Sequence, residues 1–245
     1  MADAFASQLN EVQERLLQEL ATAPVTLSEI AGAVISPSPE GAVALTKKAR
    51  ALRTFSRTID IDLLALTAAG VPVSEELRLL VALIQLAQRG ALIANQFELI
   101  SEQLTDIDAS VSDRGQTAVR LAEMARLAAI QLDHALSAFA SLDLESARAI
   151  DSQDDAIDRL NRDVFEATLE LDAGPDQREL ALRHVLIARS LERIGDNAVD
   201  IAEQAAFLVT TELQEFTDAS TPKPPRARAG DPPGHAPGVT PPSTP

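Results

Sequence analysis

The sequence predicts an all-α protein, two tandem three-helix units followed by a proline-rich C-terminal tail, and three observations carry that prediction. Apolar residues recur in steps of three and four along most of the chain, the spacing of one helix face, and no segment sustains the period-two alternation of a strand. The chain also matches itself when displaced by 101 residues without gaps. Finally, nine of the fourteen prolines lie between Thr217 and Pro245. Proline fixes its own φ, removes a donor and biases the preceding residue away from helix, so this stretch is expected to be a disordered tail.

Composition agrees and narrows the functions open to the chain. With 245 residues it can bury a sizeable core without metal or disulfide staples. The apolar share, 46%, is mostly Ala, Leu, Ile and Val with seven Phe and no Tyr or Trp, a mixture that favours helices. A formal charge of −16 disfavours any surface built to hold a phosphate backbone, so nucleic acid is not an expected partner. The absence of cysteine removes thiolate metal sites, disulfides and cysteine nucleophiles together, leaving oxygen ligands and three His. The first thirty residues include an acid within the first ten positions and hold no uninterrupted apolar core, unlike a signal peptide. No run reaches the roughly 18 apolar residues of a membrane span. A soluble, cytoplasmic protein is expected.

Local signals then place the elements in order. Proline and glycine gather at Pro37, Pro39 and Gly41, at Gly70 and Pro72, and at Gly174 and Pro175, which are the expected loops. Thr26 with Glu29 reads as a capping box, and Ser74 before Glu75 and Glu76 opens another helix, because negative charge suits the positive helix end. Leu121, Met124, Ala128, Leu132 and Leu136 line one helix; Ile150, Ile157, Leu160 and Val164 line the next. In the last, Ile187, Leu191, Ile194, Ala198, Ile201, Ala205 and Leu208 alternate steps of four and three, the seam of a bundle helix.

Displacement by 101 residues lays the loop at Gly70 to Pro72 near Leu171 to Ala173 and pairs Ile59 with Leu160, Leu63 with Val164 and Leu64 with Phe165. Further on it pairs Leu86 with Ile187, Ala87 with Ala188, Ile93 with Ile194 and Ile100 with Ile201. Six helices are expected, in units spanning residues 1–110 and 111–216, with the tail at 217–245.

Charge distinguishes the two units. In the second, one helix carries Asp151, Asp154, Asp155 and Asp158, and the next carries Glu192, Asp196 and Asp200. Residues four apart share a helix face, so each helix displays a carboxylate row, expected to face outward. Like charges at that spacing repel by roughly 0.2 to 0.5 kcal/mol per pair, and Asp is a poor mid-helix residue. Two neighbouring helices that accept this cost suggest an offsetting cation. Carboxylates without Cys or His nearby suit Mg, Mn or Fe rather than structural zinc.

The first unit breaks the pattern, for Arg50, Arg53 and Arg57 stand where the second has Asp151, Asp154 and Asp158. Ala91, Asn95 and Leu99 stand in place of Glu192, Asp196 and Asp200. This basic row is expected to meet an acidic surface, such as the partner unit's own. Gly195, inside a helix at a cost of roughly 1 kcal/mol relative to Ala, requires close approach of a neighbour, with simple packing the favoured cause.

The text ARSLERIGDNAVDIAEQAAFLV, Ala188 to Val209, closely resembles the signature helix of the PhoU family. The segment DDAIDRL, Asp154 to Leu160, is similar to that family's acidic second helix, and VPVSEELRLLVALIQLA, Val71 to Ala87, to the opening of its third helix, with Glu76 in place of Asp. The resemblance spans residues 5 to 210 and is specific in the second unit. It implies two three-helix bundles related by a pseudo-twofold, and multinuclear metal clusters on motifs of Glu or Asp, three residues, then Asp. Asp151 with Asp155, Asp154 with Asp158, and Glu192 with Asp196 match that motif; Ala91 with Asn95 does not. A divalent or trivalent ion (Fe, Mn, Mg or Zn) is therefore expected at the second repeat only.

The resemblance further implies a non-enzymatic cytoplasmic regulator of phosphate uptake and signalling, a homodimer contacting the phosphate transporter's ATPase and a PhoR-type sensor kinase. An accessory paralogue serving another transporter is the main alternative. A metal-dependent hydrolase is a remote one, because no His accompanies the carboxylates: His184 is expected at the surface, His134 falls between seam positions and His235 lies in the tail. Di-iron storage would require Glu-x-x-His motifs, which are absent.

Overall fold

The computed structural model describes residues 2–69, 74–107, 116–169 and 174–216, all in helices or the connections between them. The helices are α1 (Ala2–Leu20), α2 (Thr22–Ala33), α3 (Pro39–Ala69), α4 (Ser74–Thr105), α5 (Gln116–Ser141), α6 (Leu144–Leu169) and α7 (Pro175–Thr210). The proline-rich tail lies outside the described residues, as do the Gly70 to Pro72 loop and its counterpart at Leu171 to Ala173.

Among the described residues seven helices stand where six were expected, because the first is broken at Ala21 into α1 and α2. The capping-box reading of Thr26 and Glu29 is accordingly corrected. Thr26 is buried inside α2, and its hydroxyl donates to the Thr22 carbonyl one turn back, at 2.9 Å. Sequence spacing could not separate a cap from a mid-helix Thr bonding its own backbone.

Other boundaries follow the local chemistry. Ser38 caps α3, its Oγ accepting the Gly41 N–H at 3.1 Å, and Pro39 takes the first helical position, where a missing N–H costs nothing. Asp143 caps α6: Oδ1 accepts the backbone N–H groups of Glu145 and Ser146, at 3.0 and 3.2 Å. These bonds, with the Ser146 hydroxyl first among them, hold the Asp143 carboxyl below the usual range. Gly174 and Pro175 open α7, and Ser74 opens α4 with both acids in the first turn.

α3 pairs with α4, and α5 with α6 and α7, while α4 against α7 and α2 against α5 join the halves. α4 and α7 run antiparallel: Arg89 meets Asp200 at 2.8 Å, and Arg183 meets Asp106 at 3.0 Å at the other end. By length and composition α4 is apolar enough to cross a membrane, yet its apolar face here forms the centre of the core. Leu80, Leu83, Leu86, Ile93, Phe97 and Ile100 are all buried along it.

The 101-residue displacement matches burial at most of the paired positions, though Ile59 is fully buried and Leu160 only partly so. Leu63 and Val164, Leu86 and Ile187, Ile93 and Ile194, and Ile100 and Ile201 are fully buried in both halves, while Leu64 and Phe165 are exposed in both. Agreement on the exposed pair goes beyond what any two apolar seams would share.

Candidate functional site

The second hairpin, α6 with α7, carries all seven predicted carboxylates, and burial divides them. Asp154, Asp158 and Glu192 retain only 4%, 6% and 4% exposure; Asp151, Asp196 and Asp200 are half-buried, and Asp155 is exposed. The expectation that both rows face outward is thus corrected. In a bundle, positions flanking the apolar seam are covered by the neighbouring helices, and both α5 and α6 pack on α7.

Asp154 and Glu192 are each met by N–H donors, as the cost of isolating a charge from water requires. Asp154 Oδ1 accepts the Gln131 side-chain amide of α5 at 3.0 Å. Glu192 Oε1 accepts from Asn161 of α6 at 3.4 Å and from the Arg189 guanidinium one turn earlier on α7. Arg189 is half exposed, so its stem lies over the protein while the head reaches back to Glu192. Gly195 makes the three-helix junction possible. An added Cβ there would lie 2.7 Å from Asp154 Oδ1 and 3.1 Å from Gln131 Oε1, so the close approach inferred from the sequence is a polar one.

The outer end of the hairpin meets α4. Asp200 pairs with Arg89, and burial still pushes its carboxyl above the ordinary range, against the pull of that guanidinium. Glu203, one turn on, is likewise raised, chiefly by burial, and accepts the Phe216 backbone N–H at 2.6 Å.

Among the described residues, no group of three or more His, Asp or Glu side chains is gathered closely enough to hold a metal ion. The donor chemistry suits a hard cation, but in this arrangement Asp154, Glu192 and Asp200 direct oxygens at Gln131, Arg189 and Arg89. His184 is buried at 4% exposure rather than at the surface, because it lies one turn past Leu180, on the face of α7 that is covered from that residue onward. His134 is exposed and shares a 3.2 Å hydrogen bond with Gln153.

Two of the three arginines in the first unit's basic row pair within that unit, while Arg57 is exposed. Arg53 and Arg50 of α3 both meet Glu98 of α4, the latter at 3.7 Å, rather than the acids of the second unit. Arg53 pulls the Glu98 carboxyl below its usual range, the hydrogen bond contributing most.

Residues 121–205, which contain this hairpin and most of α5, match the PhoU domain. Relatives extend the likeness over nearly the whole length. The chain is 29% identical over 175 residues to the "Phosphate-specific transport system accessory protein PhoU homolog 1" of Methanothermobacter thermautotrophicus, covering 68% of this chain and 76% of that one. It is 26% identical over 220 residues to PhoU homolog 2 of Mycobacterium tuberculosis, covering 86% and 98%. The chain carries a PhoU domain over residues 121–205 and is similar to PhoU proteins along most of its length. Solved PhoU structures share the fold: that of Pseudomonas aeruginosa superimposes with a TM-score of 0.77 at 22% identity, covering 85% of this chain and 100% of that one. That of Streptococcus pneumoniae gives 0.76 at 21%, covering 86% and 99%.

Sequence reasoning missed the residues that complete the PhoU-type hairpin here: Gln131, Asn161, Arg189 and Arg89. Only Gln131 left a signal. It stands in step with Met124, Ala128, Ala135 and Ala138, all buried, so an amide at that position needed a polar partner.

Proposed function

We propose that this chain is a non-enzymatic, cytoplasmic regulator of phosphate uptake and phosphate-responsive signalling, an adaptor between a phosphate transporter's ATPase and a PhoR-type sensor kinase. One observation carries the reading: the PhoU-domain match falls on the helices that hold the acidic hairpin, while the curated PhoU homologues align over most of the chain. Two repeats at residues 1–110 and 111–216 and a homodimer belong to the same proposal. Deleting the gene and measuring phosphate-regulated transcription in rich phosphate tests it. Loss of repression is expected; intact repression would discard the adaptor role.

A metal ion held by Asp151, Asp154, Asp155, Asp158, Glu192, Asp196 and Asp200 belongs to this proposal as a rearranged state, one in which Arg189 and Arg89 release Glu192 and Asp200. Elemental analysis of protein purified without chelator, beside the Glu192→Ala, Asp196→Ala double variant, decides. Metal content that the double change leaves intact would remove these ligands.

The pairing of Arg50 and Arg53 in the first unit supports a second reading. Arg50 and Arg53 closed onto Glu98 leave the halves with opposite chemistry at matching positions. An accessory paralogue that engages a different transporter would be built this way. Affinity capture from phosphate-replete cells separates the two by which transporter ATPase is recovered.

A further inference from the structure

Beyond Thr210 the chain turns back on α7. Thr211 takes a left-handed conformation at φ 62°, which a β-branched residue rarely adopts, while its N–H donates to the Phe207 carbonyl at 2.9 Å. Residues 211–216 form a strap that returns to Glu203, whose carboxylate accepts the Phe216 N–H at 2.6 Å. Two further bonds fix it: Gln214 accepts from Arg148 of α6 at 3.2 Å and donates to the Thr210 hydroxyl at 3.3 Å. Phe216 is its apolar anchor, partly buried against the core, whereas Leu213 is 81% exposed.

In charge the strap fits its seat badly. Burial first, then Asp200 and Glu215, push the Glu203 carboxyl upward, against the Phe216 N–H and Arg89. Glu215 is the strap's own residue, standing immediately before the anchor, so the ring and backbone suit the seat while a neighbouring carboxylate opposes it. A single apolar anchor and a few polar bonds near the surface mark a segment that opens locally at small cost. Its tether keeps it closed, by supplying an effective concentration on the order of millimolar.

We propose that the seat of Phe216, beside Glu203 and Arg148 where α7 ends and α6 begins, docks a short segment of a partner protein carrying Lys or Arg immediately before an aromatic residue, with Thr211–Phe216 as its internal competitor. Such a segment keeps the ring and the N–H given to Glu203, and it replaces repulsion from Glu203 and Asp200 with attraction. Arg89 does not cancel that gain, since it already pairs with Asp200 at 2.8 Å and has the smallest effect on Glu203. None of the seven Phe in this chain follows Lys or Arg, and Tyr and Trp are absent, so a second copy does not supply the segment. The inference deepens the adaptor reading and rests on it for the existence of a protein partner.

Because the chain has no Trp or Tyr, Phe216→Trp places a single emitter in the seat of the full-length protein. Its emission is expected to be blue-shifted and shielded from acrylamide. An acetylated peptide of the strap's sequence, TELQEF, with lysine at both glutamate positions should reverse both effects at a concentration on the order of millimolar. The peptide with its glutamates intact should require about five- to tenfold more, and Glu203→Gln should narrow that preference. In the unsubstituted protein the Phe216 amide resonance should move with the lysine peptide, a reading that does not depend on the Trp variant. An emitter already open to acrylamide, no displacement by the lysine peptide, equal potency of the two peptides, or a preference unchanged in Glu203→Gln each overturns the proposal. Only purified chain and peptides enter this test, so its failure is separate from intact repression in the deletion strain, which bears on the adaptor reading.

Discussion

The Cβ that Gly195 lacks would lie 2.7 Å from Oδ1 of Asp154, on the neighbouring helix. A contact that short cannot persist, so one of the two positions must move when the other grows. The glycine in the signature helix and the aspartate of the acidic row are one unit of packing. It places the buried carboxylate where Gln131 can reach it.

Gly195→Ala is therefore expected to destabilise despite a helix-propensity gain of up to about 1 kcal/mol, because overpacking a core contact costs about 1–3 kcal/mol. A net loss of about 1 kcal/mol should appear as a lower denaturation midpoint, shrinking in the Asp154→Ala background where the obstructing oxygen is gone. Additive effects in that cycle would refute the coupling.

Gly32 supplies the contrast. Nothing lies within 4 Å of its hypothetical Cβ, and it sits within α2. Gly32→Ala should raise stability by about 0.5–1 kcal/mol by thermal melting.

In the first unit, Arg53→Met keeps the apolar stem but leaves the half-buried Glu98 with only the exposed Arg50. Loss of a charged hydrogen bond predicts about 1–2 kcal/mol of destabilisation near neutral pH. The parent carries a pH signature with a definite sign. The Glu98 carboxyl is lowered on folding, so its contribution is present above the ordinary Glu range and lost as pH falls through its folded value. The variant should show a flatter acid limb; an identical limb would place the effect elsewhere.

Glu203 has the opposite sign. Burial raises its carboxyl, so its ionised form weighs against folding at neutral pH, and the parent regains stability as pH falls through the raised value toward the ordinary Glu range. Glu203→Gln keeps an acceptor for the Phe216 N–H without the charge. Chemical denaturation should find the variant at least as stable as the parent near neutral pH, the difference closing through that window. A difference that widens on acidification would contradict the assignment.

The helices, their seams and the match between halves were legible because each rests on neighbours a few residues apart. Leu86, Ile93 and Ile100 repeat as Ile187, Ile194 and Ile201, and all six are buried. The acidic motif was legible as residue types, and it carried the likeness to the PhoU domain. The break at Ala21 was not, since Thr22 and Thr26 are compatible with either a cap or a helix interior.

Burial of the carboxylates was decided only by tertiary packing. Whether Asp154 and Glu192 meet water, a cation or an amide depends on what α5 and α6 present across the hairpin, and Gln131 and Asn161 lie 23 and 31 residues away from them. The sequence alone determined an all-helical chain with one acidic half and one altered half, because helical periodicity and charge are properties of short segments. Which charges are enclosed, and by which donors, belongs to the fold, because no local spacing encodes the side chain that a distant helix brings into contact.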